Sequence, residues 1–159
     1  MLMKFTLLCV GKTDVPWVRE GLALYGARLT HYVSFAVDEI PELKGVSALT
    51  REQIKDREGA LILKRLRPAD EVVLLDERGR QMDSPAFAKA LQERLSRGGR
   101  DMVFVIGGAY GFSSEVYARA DWQMSLSRMT FSHQMVRTIF AEQLYRAFTI
   151  IRGEPYHHE

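Results

Sequence analysis

Cysteine is nearly missing from this chain. Cys9 stands alone among 159 residues, so no internal disulfide can form. It lies in an apolar run and reads as core packing rather than as a nucleophile. Neither C-x-x-C nor H-E-x-x-H occurs, which removes the usual frameworks for a structural or catalytic zinc and leaves no metal expected. No apolar run approaches the length of a membrane span, so no membrane is expected as a partner. The N-terminal MLMKFTLLCVGK is apolar for about one strand and lacks a signal-peptide layout. These absences point to a cytoplasmic, reducing location. An excess of one charge is lacking too: 22 Lys and Arg against 20 Asp and Glu leave a net charge of +2, too little to argue nucleic-acid binding by itself. Clusters at Lys64, Arg65 and Arg67 and at Arg94, Arg97 and Arg100 read first as solvated helix ends and second as basic patches. G-x-G-x-x-G and G-x-x-x-x-G-K-[ST] are both absent, so the dinucleotide fingerprint and the P-loop are not matched. There is no internal repeat, low-complexity tract or linker, and residues 1–159 read as one domain.

What is present centres on Val103 to Gly111, VFVIGGAYG. A short unbroken apolar run predicts a strand buried on both faces, as in a parallel sheet. Gly107 and Gly108 then open a turn in which a ligand can lie against backbone N–H groups, or which is simply tight. Ser113 or Ser114 caps a short helix to about Arg119. The same alternation holds along the chain. Lys4 to Val10 reads as a strand. Asp14 caps a helix with Pro16 in its first turn and Trp17, Leu22, Leu24, Tyr25, Leu29 and Tyr32 on its apolar face. Val33 to Ile40 is a strand and 41–49 a loop. Thr50 with Gln53 forms a capping box for a helix to about Leu66. Glu71 to Asp76 is a strand, followed by a turn or loop over Glu77 to Arg80. Ser84-Pro85 starts a helix to about Arg97, and Trp122 to Leu126 is a fifth strand. Ser132 caps a last helix in which Val136, Ile139, Phe140, Leu144, Ala147 and Ile151 recur at helical spacing, and in which Glu142 and Arg146 can pair. Strand and helix alternate about five times, which predicts an α/β fold: a parallel sheet with helices on both faces.

In such a sheet the loops after strands three, four and five share one edge. Leu75-Asp76, Gly107-Gly108 and the stretch Leu126, Ser127, Arg128, Met129, Thr130, Phe131 and Ser132 can therefore enclose a small ligand, with Leu75, Leu126 and Met129 as apolar walls. His133 and Arg137 share a face of the last helix, and Arg137 there can hold a carboxylate or phosphate, or be half of a surface pair. Tyr156, His157 and His158 can shuttle protons, or form a frayed end that is mobile without a partner.

The motifs IGGAYG at 106–111, LSRMTFSHQMVR at 126–137, EQLYRA at 142–147 and PYHHE at 155–159, with VGK at 10–12 and PWV at 16–18, together resemble the RlmH family of SPOUT-class methyltransferases over essentially the whole chain. The resemblance implies a SPOUT-like fold with a C-terminal trefoil knot, which ordinary topology rules would exclude. It implies S-adenosylmethionine bound bent against the three loops, and a homodimer whose sites are completed across an interface supplied largely by the last helix. It implies N3 methylation of a pseudouridine in helix 69 of 23S rRNA, with the assembled ribosome as substrate. The methyl sulfonium is already a strong electrophile, so placing N3 in line with it is the largest task. His157, Tyr156 and His133, in that order, are candidates for orienting the base or relaying its proton. Arg137 would hold the cofactor carboxylate or an RNA phosphate. Many members end YHRE, whereas here His158 stands in the arginine's place; if that arginine holds the ribosome, this chain binds it more weakly. A binding module that keeps the knot without catalysis is the alternative, and it predicts cofactor loops blocked by bulky or charged residues.

Overall fold

The computed structural model describes residues 3–158. The strands are β1 (Lys4–Val10), β2 (Ser34–Ile40), β3 (Glu71–Gln81), β4 (Met102–Ile106) and β5 (Trp122–Ser125). They form one sheet in the order β2-β1-β4-β3-β5, parallel throughout. The helices are α1 (Pro16–Leu29), α2 (Arg51–Arg65), α3 (Ser84–Ser96), α4 (Ser114–Arg119) and α5 (Met135–Ile151). Side chains alternate along each strand between two cores, as the pleat requires. Phe5, Leu7 and Cys9 of β1 and Phe104 of β4 meet α1, α3 and α5 through Leu22, Phe87, Leu91, Phe140 and Leu144. Leu8, Val10, Val103 and Val105 meet α2 and α4 through Ile62 and Val116. Helices thus cover both faces, and the central strands are apolar at nearly every position because neither face meets water. Burial pushes the Cys9 thiol up to about 12, as its core position demands.

Several local signals act as expected. The capping box closes reciprocally, Thr50 Oγ1 accepting from Gln53 N–H at 3.1 Å and Gln53 Oε1 from Thr50 N–H at 2.9 Å. Ser113 caps α4 through Val116 N–H. Four expectations are corrected. Asp14 does not cap α1; its side chain takes no cap bond there, and the N-cap position falls on Val15. Asp83, not Ser84, caps α3, accepting from Ala86 N–H at 2.9 Å, while Ser84 donates to Gln143 instead. On α1 the inward face is Val18, Leu22 and Leu29, and Trp17 and Leu24 are 56% and 49% exposed; positions 17 and 24 are seven apart, so they share a stripe one step round the helix. β3 does not stop at Asp76. Leu75 and Arg80 both register with Met124, so residues 76–79 bulge out of the ladder and the strand resumes to Gln81. Gly79 permits this, because a Cβ there would lie 2.8 Å from the backbone of Gln123 and Met124.

Candidate functional site

β4, β3 and β5 are neighbours, so their C-terminal loops converge. They bound a cleft of about 680 Å³, a size typical of sites for drug-sized or cofactor-sized molecules. Its lining includes Leu75, Asp76, Gly107, Gly108, Leu126, Ser127, Met129, Thr130, Phe131, Ser132 and His133, so the three loops singled out in the sequence do meet. Arg128 is the exception: it borders a neighbouring surface depression with Glu77, Arg78, Gly79 and Gln81. Met129 does not form a closed apolar wall, being 77% exposed at the mouth.

Each loop is held from behind. At Gly107 a Cβ would come within 3.0 Å of the Phe112 ring, and at Gly108 within 2.5 Å of Glu58 Oε1. Gly111 N–H bonds Gly108 C=O at 3.2 Å, with φ at +86°, a conformation that favours glycine. Gly111 is thus demanded by the turn's left-handed backbone, while Gly107 and Gly108 fit close against Phe112 and Glu58, and the lack of side chains leaves the turn's backbone open to the cleft. Glu58, behind Gly108, has its carboxyl pushed above the ordinary range by burial and by nearby Glu42. Asp76 accepts the Tyr117 hydroxyl and the Arg78 N–H. Burial and that bond push Tyr117 up to about 12, so the phenol stays protonated at neutral pH and holds Asp76 at the cleft wall. In the third loop Ser125 Oγ–H donates to Ser127 C=O at 2.8 Å, Ser127 Oγ accepts from Met129 N–H at 3.0 Å, and Thr130 reaches Glu77. Ser132 Oγ accepts from Met135 N–H at 3.0 Å and so holds the turn leading into α5, whose N-cap position is Gln134 rather than the expected Ser132.

The sequence reading missed Arg51 and Lys55 of α2, and the stretch Tyr110 to Phe112, all of which also line the cleft. Their signal was weak, since only the capping box marked where α2 begins.

Arg137 must be corrected. It is fully buried and is absent from the cleft lining. Its Nε donates to His133 C=O at 2.9 Å, Nη1 to Gly11 C=O at 3.0 Å and Thr13 Oγ1 at 2.7 Å, and Nη2 to Val10 C=O at 2.9 Å. Glu39 lies 3.6 Å away. The guanidinium ties the start of α5 to the end of β1, where backbone carbonyls would otherwise be orphaned.

The expectation of a mobile tail is corrected as well. Tyr156 donates to Glu142 Oε2 at 2.8 Å, and the same oxygen takes Arg146 Nη2 at 2.8 Å. Arg146 Nη1 lies 3.1 Å from His157 Nδ1, and its guanidinium sits 4.8 Å over the Tyr156 ring. The tail is thus docked on α5, with His158 exposed; Glu159 lies outside the described residues. Tyr156 and His157 are absent from the cleft lining, whereas His133 is part of it. The structure does not bring these three together within one chain. Half of the cations in the two charge clusters of the sequence are paired: Arg65 with Asp38, Arg94 with Glu71, and Arg100 with Asp121.

A parallel sheet with an open cleft at the ends of three adjacent strands is the arrangement of an α/β cofactor-binding domain. Residues 3–157 match the family model described as Predicted SPOUT methyltransferase. A protein of Porphyromonas gingivalis called Ribosomal RNA large subunit methyltransferase H is 55% identical over 99% of this chain and all of its own length. Another of that name, from Christiangramia forsetii, is 52% identical over 98% of this chain and 99% of its own. A solved structure described as Structural insights into the 2-OH methylation of C/U34 on tRNA aligns over 96% of this chain and 99% of its own at 15% identity, with a TM-score of 0.49. The chain belongs to the SPOUT methyltransferases, within the RlmH family. S-adenosylmethionine is the cofactor of that class, and the cleft suits it: the Gly107 to Gly111 backbone and Ser127 offer polar contacts, and Leu75, Ile106, Leu126 and Val136 an apolar bed. No helix of the described residues is long and apolar enough to cross a membrane.

Proposed function

We propose that this protein methylates large-subunit ribosomal RNA at N3 of a pseudouridine in helix 69, in the cytoplasm, with the assembled ribosome as substrate and a homodimer as the working form. The convergence of three strand-end loops on one open cleft carries this reading. The full-length relatives named for large-subunit ribosomal RNA supply the substrate class. The binding-module alternative predicts a blocked cleft; about 680 Å³ stays open between the three loops, with the Phe112 ring and the Glu58 carboxyl backing Gly107 and Gly108.

S-adenosylmethionine supplies the electrophilic methyl group when bound. Leu75, Leu126 and Val136 would bed its apolar parts, and backbone groups of Gly107, Gly108 and 126–132 would take its polar ones. Thr130 and Met129, at the mouth, would face incoming RNA. His133 would meet the base from the cleft side, and His157 and Tyr156 from the tail. The last helix runs from the cleft to the tail at about 1.5 Å per residue, which favours a second protomer as the source of the tail at each site. Of the α5 stripe, Phe140, Leu144 and Ala147 are spent on its own core, so what that helix would bring to the dimer surface is its half-buried Ile139 and Ile151, joined by exposed Met135 and by Trp17 and Leu24 of α1. A C-terminal trefoil knot belongs to the same reading.

The test is calorimetric titration with S-adenosylmethionine, comparing the wild type with Thr130→Trp, which fills the mouth from an exposed position. It is followed by methyl transfer to ribosomes lacking the modification, read by mass spectrometry of digested RNA. Binding that the variant loses, with one methyl added to helix 69, is expected. A folded wild type that transfers no methyl to those ribosomes overturns the reading.

A further inference from the structure

We infer that the β3 bulge and the third loop build a phosphate subsite beside the cofactor cleft, in which Arg78 and Arg128 take a backbone phosphate of the RNA next to the target nucleotide. The inference rests on the proposed function, in which RNA is the methyl acceptor.

The subsite is a depression of about 580 Å³ lined by Glu77, Arg78, Gly79, Gln81 and Arg128. Glu77 and Arg78 also line the cofactor cleft, so the two spaces are continuous. Both arginines are exposed. Among the described residues neither forms an ion pair, in contrast to Arg65, Arg94, Arg100, Arg119 and Arg146. Two backbone irregularities aim them at one place. Leu75 and Arg80 share Met124 as their partner, so residues 76–79 leave the ladder, and Gly79 lies close against the β5 backbone. Bulges of this kind re-aim side chains beside active sites, and here the side chain sent outward is Arg78. In the third loop Ser127 Oγ accepts from Met129 N–H at 3.0 Å, and Ser127 C=O accepts the Ser125 hydroxyl at 2.8 Å. That tight turn keeps Ser127 on the cleft and sends Arg128 to the depression. The Thr130 hydroxyl donates to Glu77 at 3.3 Å, which ties the loop to the bulge.

The two acids of the bulge are turned to other partners. Asp76 accepts the Tyr117 hydroxyl and the Arg78 N–H, and Glu77 accepts the Thr130 hydroxyl. On its cleft side Arg78 lies beside Tyr117, partly offsetting the upward push that burial gives that phenol. Two guanidiniums against one lining carboxylate leave excess positive charge, and an anion between them relieves their repulsion. A guanidinium forks onto two oxygens of a phosphate, and the Gln81 amide adds a further donor. S-adenosylmethionine carries no phosphate, whereas every internal nucleotide of an RNA has one on each side. A base that enters the cleft leaves its flanking phosphates at the rim, where contacts to them set register and orientation. Arg128 thus belongs to the same loop as the cofactor contacts while facing the other substrate.

The experiment compares Arg78→Gln, Arg128→Gln and the double variant with Arg97→Gln, which removes the same charge at the exposed C-terminal end of α3. The full-length proteins are cosedimented with unmodified ribosomes over a range of salt concentrations and assayed for methyl transfer. Calorimetry gives their S-adenosylmethionine affinity, and thermal melting shows that each is folded. Each single change in the subsite should weaken ribosome binding about tenfold, the loss of one charge-assisted hydrogen bond. The double variant should flatten the slope of log Kd against log salt by about one. KM for ribosomes should rise while kcat stays within about twofold, as when uniform binding is removed. S-adenosylmethionine affinity should not change, and Arg97→Gln should behave as wild type. Unchanged ribosome affinity and slope in the double variant overturn the proposal. So does Arg97→Gln weakening binding as much as the subsite variants, which would mean that only overall charge matters. Loss of S-adenosylmethionine affinity in Arg78→Gln at unchanged ribosome binding also overturns it, and would assign that arginine to the cofactor carboxylate. A wild type that transfers no methyl to ribosomes would instead strike the proposed function.

Discussion

Replacing Arg137 by methionine separates a structural cation from a ligand-binding one. The substitution keeps length and apolar volume but removes every donor. It orphans three backbone carbonyls, those of Val10, Gly11 and His133, and the Thr13 hydroxyl. It also strips Glu39 of its nearest cation. One unsatisfied buried group costs roughly 1–3 kcal/mol, and four such groups are left at this site, while the Glu39 carboxylate is 34% exposed and its lost partner adds little. These overlap at one site, so the expected loss is about 3–5 kcal/mol rather than their sum. In a domain of this size each kcal/mol moves Tm by roughly 2–4 °C, so the midpoint should fall by about 6–20 °C. Lysine should recover little, since one ammonium cannot span acceptors on β1 and α5 together. Urea and thermal unfolding measure the loss. Calorimetry well below the lowered midpoint should find S-adenosylmethionine affinity within about threefold of wild type. A variant as stable as wild type that no longer binds cofactor or ribosome would refute this, and would return Arg137 to the ligand role its helix position suggested.

Gly79→Ala should cost about 2–3 kcal/mol, at the upper end for overpacking, because its Cβ meets the β5 backbone rather than a movable side chain; chemical denaturation checks it, and a neutral result would mean the bulge relaxes freely. Acid should destabilise the fold in a defined window. Burial alone would raise Glu39, Glu71 and Asp121, but it is outweighed by Thr13 with Arg137, by Arg94, Trp122 and Arg100, and by Val72 N–H with Arg100, so all three sit below their ordinary 4.5, 4.5 and 3.8. Lowered folded values stabilise above the unfolded value and lose that stability as pH falls through the folded one. Unfolding free energy should therefore hold down to about pH 5 and decline steadily below it, and Arg137→Met should flatten part of that decline. His158→Arg should tighten ribosome binding and steepen its salt dependence by roughly one unit, since His158 is exposed at the tail; an unchanged slope would mean that position makes no phosphate contact.

The sheet was legible because burial on both faces leaves its mark in the sequence: short continuous apolar runs at 7–10, 72–75 and 102–106 followed by turn residues. The cleft was legible for the same reason, since parallel strands send their carboxyl-end loops to one edge. Arg137 was not, because spacing reports which helix face a residue occupies and not what lies opposite. Besides His133, its acceptors are the Val10 and Gly11 carbonyls and the Thr13 hydroxyl, more than a hundred residues away. Met129 and Trp17 misled in the other direction, as apolar side chains do when a surface is kept for a ligand or a second chain. The docking of the tail was half visible. The Glu142 and Arg146 pair was expected from i,i+4 spacing, but nothing in that spacing says the pair also grips Tyr156 and His157.

α5 therefore has two ends with separate tasks. Its first turn, through His133 and Arg137, is fixed to β1 and the cleft; its later turns, through Glu142 and Arg146, hold the tail. At about 1.5 Å per residue, the 11 steps from Met135 to Arg146 span roughly 16 Å of helix, far beyond hydrogen-bond reach. Under the proposed function a working site then takes its cleft from one protomer and its tail from the other. Mixing a cleft-blocked chain, Thr130→Trp, with a tail-blocked chain, His157→Ala, tests this. In a two-fold dimer each mixed pair contains one site with both defects and one with neither, so subunit exchange at equal amounts should restore about a quarter of wild-type activity from two inactive parents. If each chain instead folds its own tail into its own cleft, every site carries one defect and no mixture recovers.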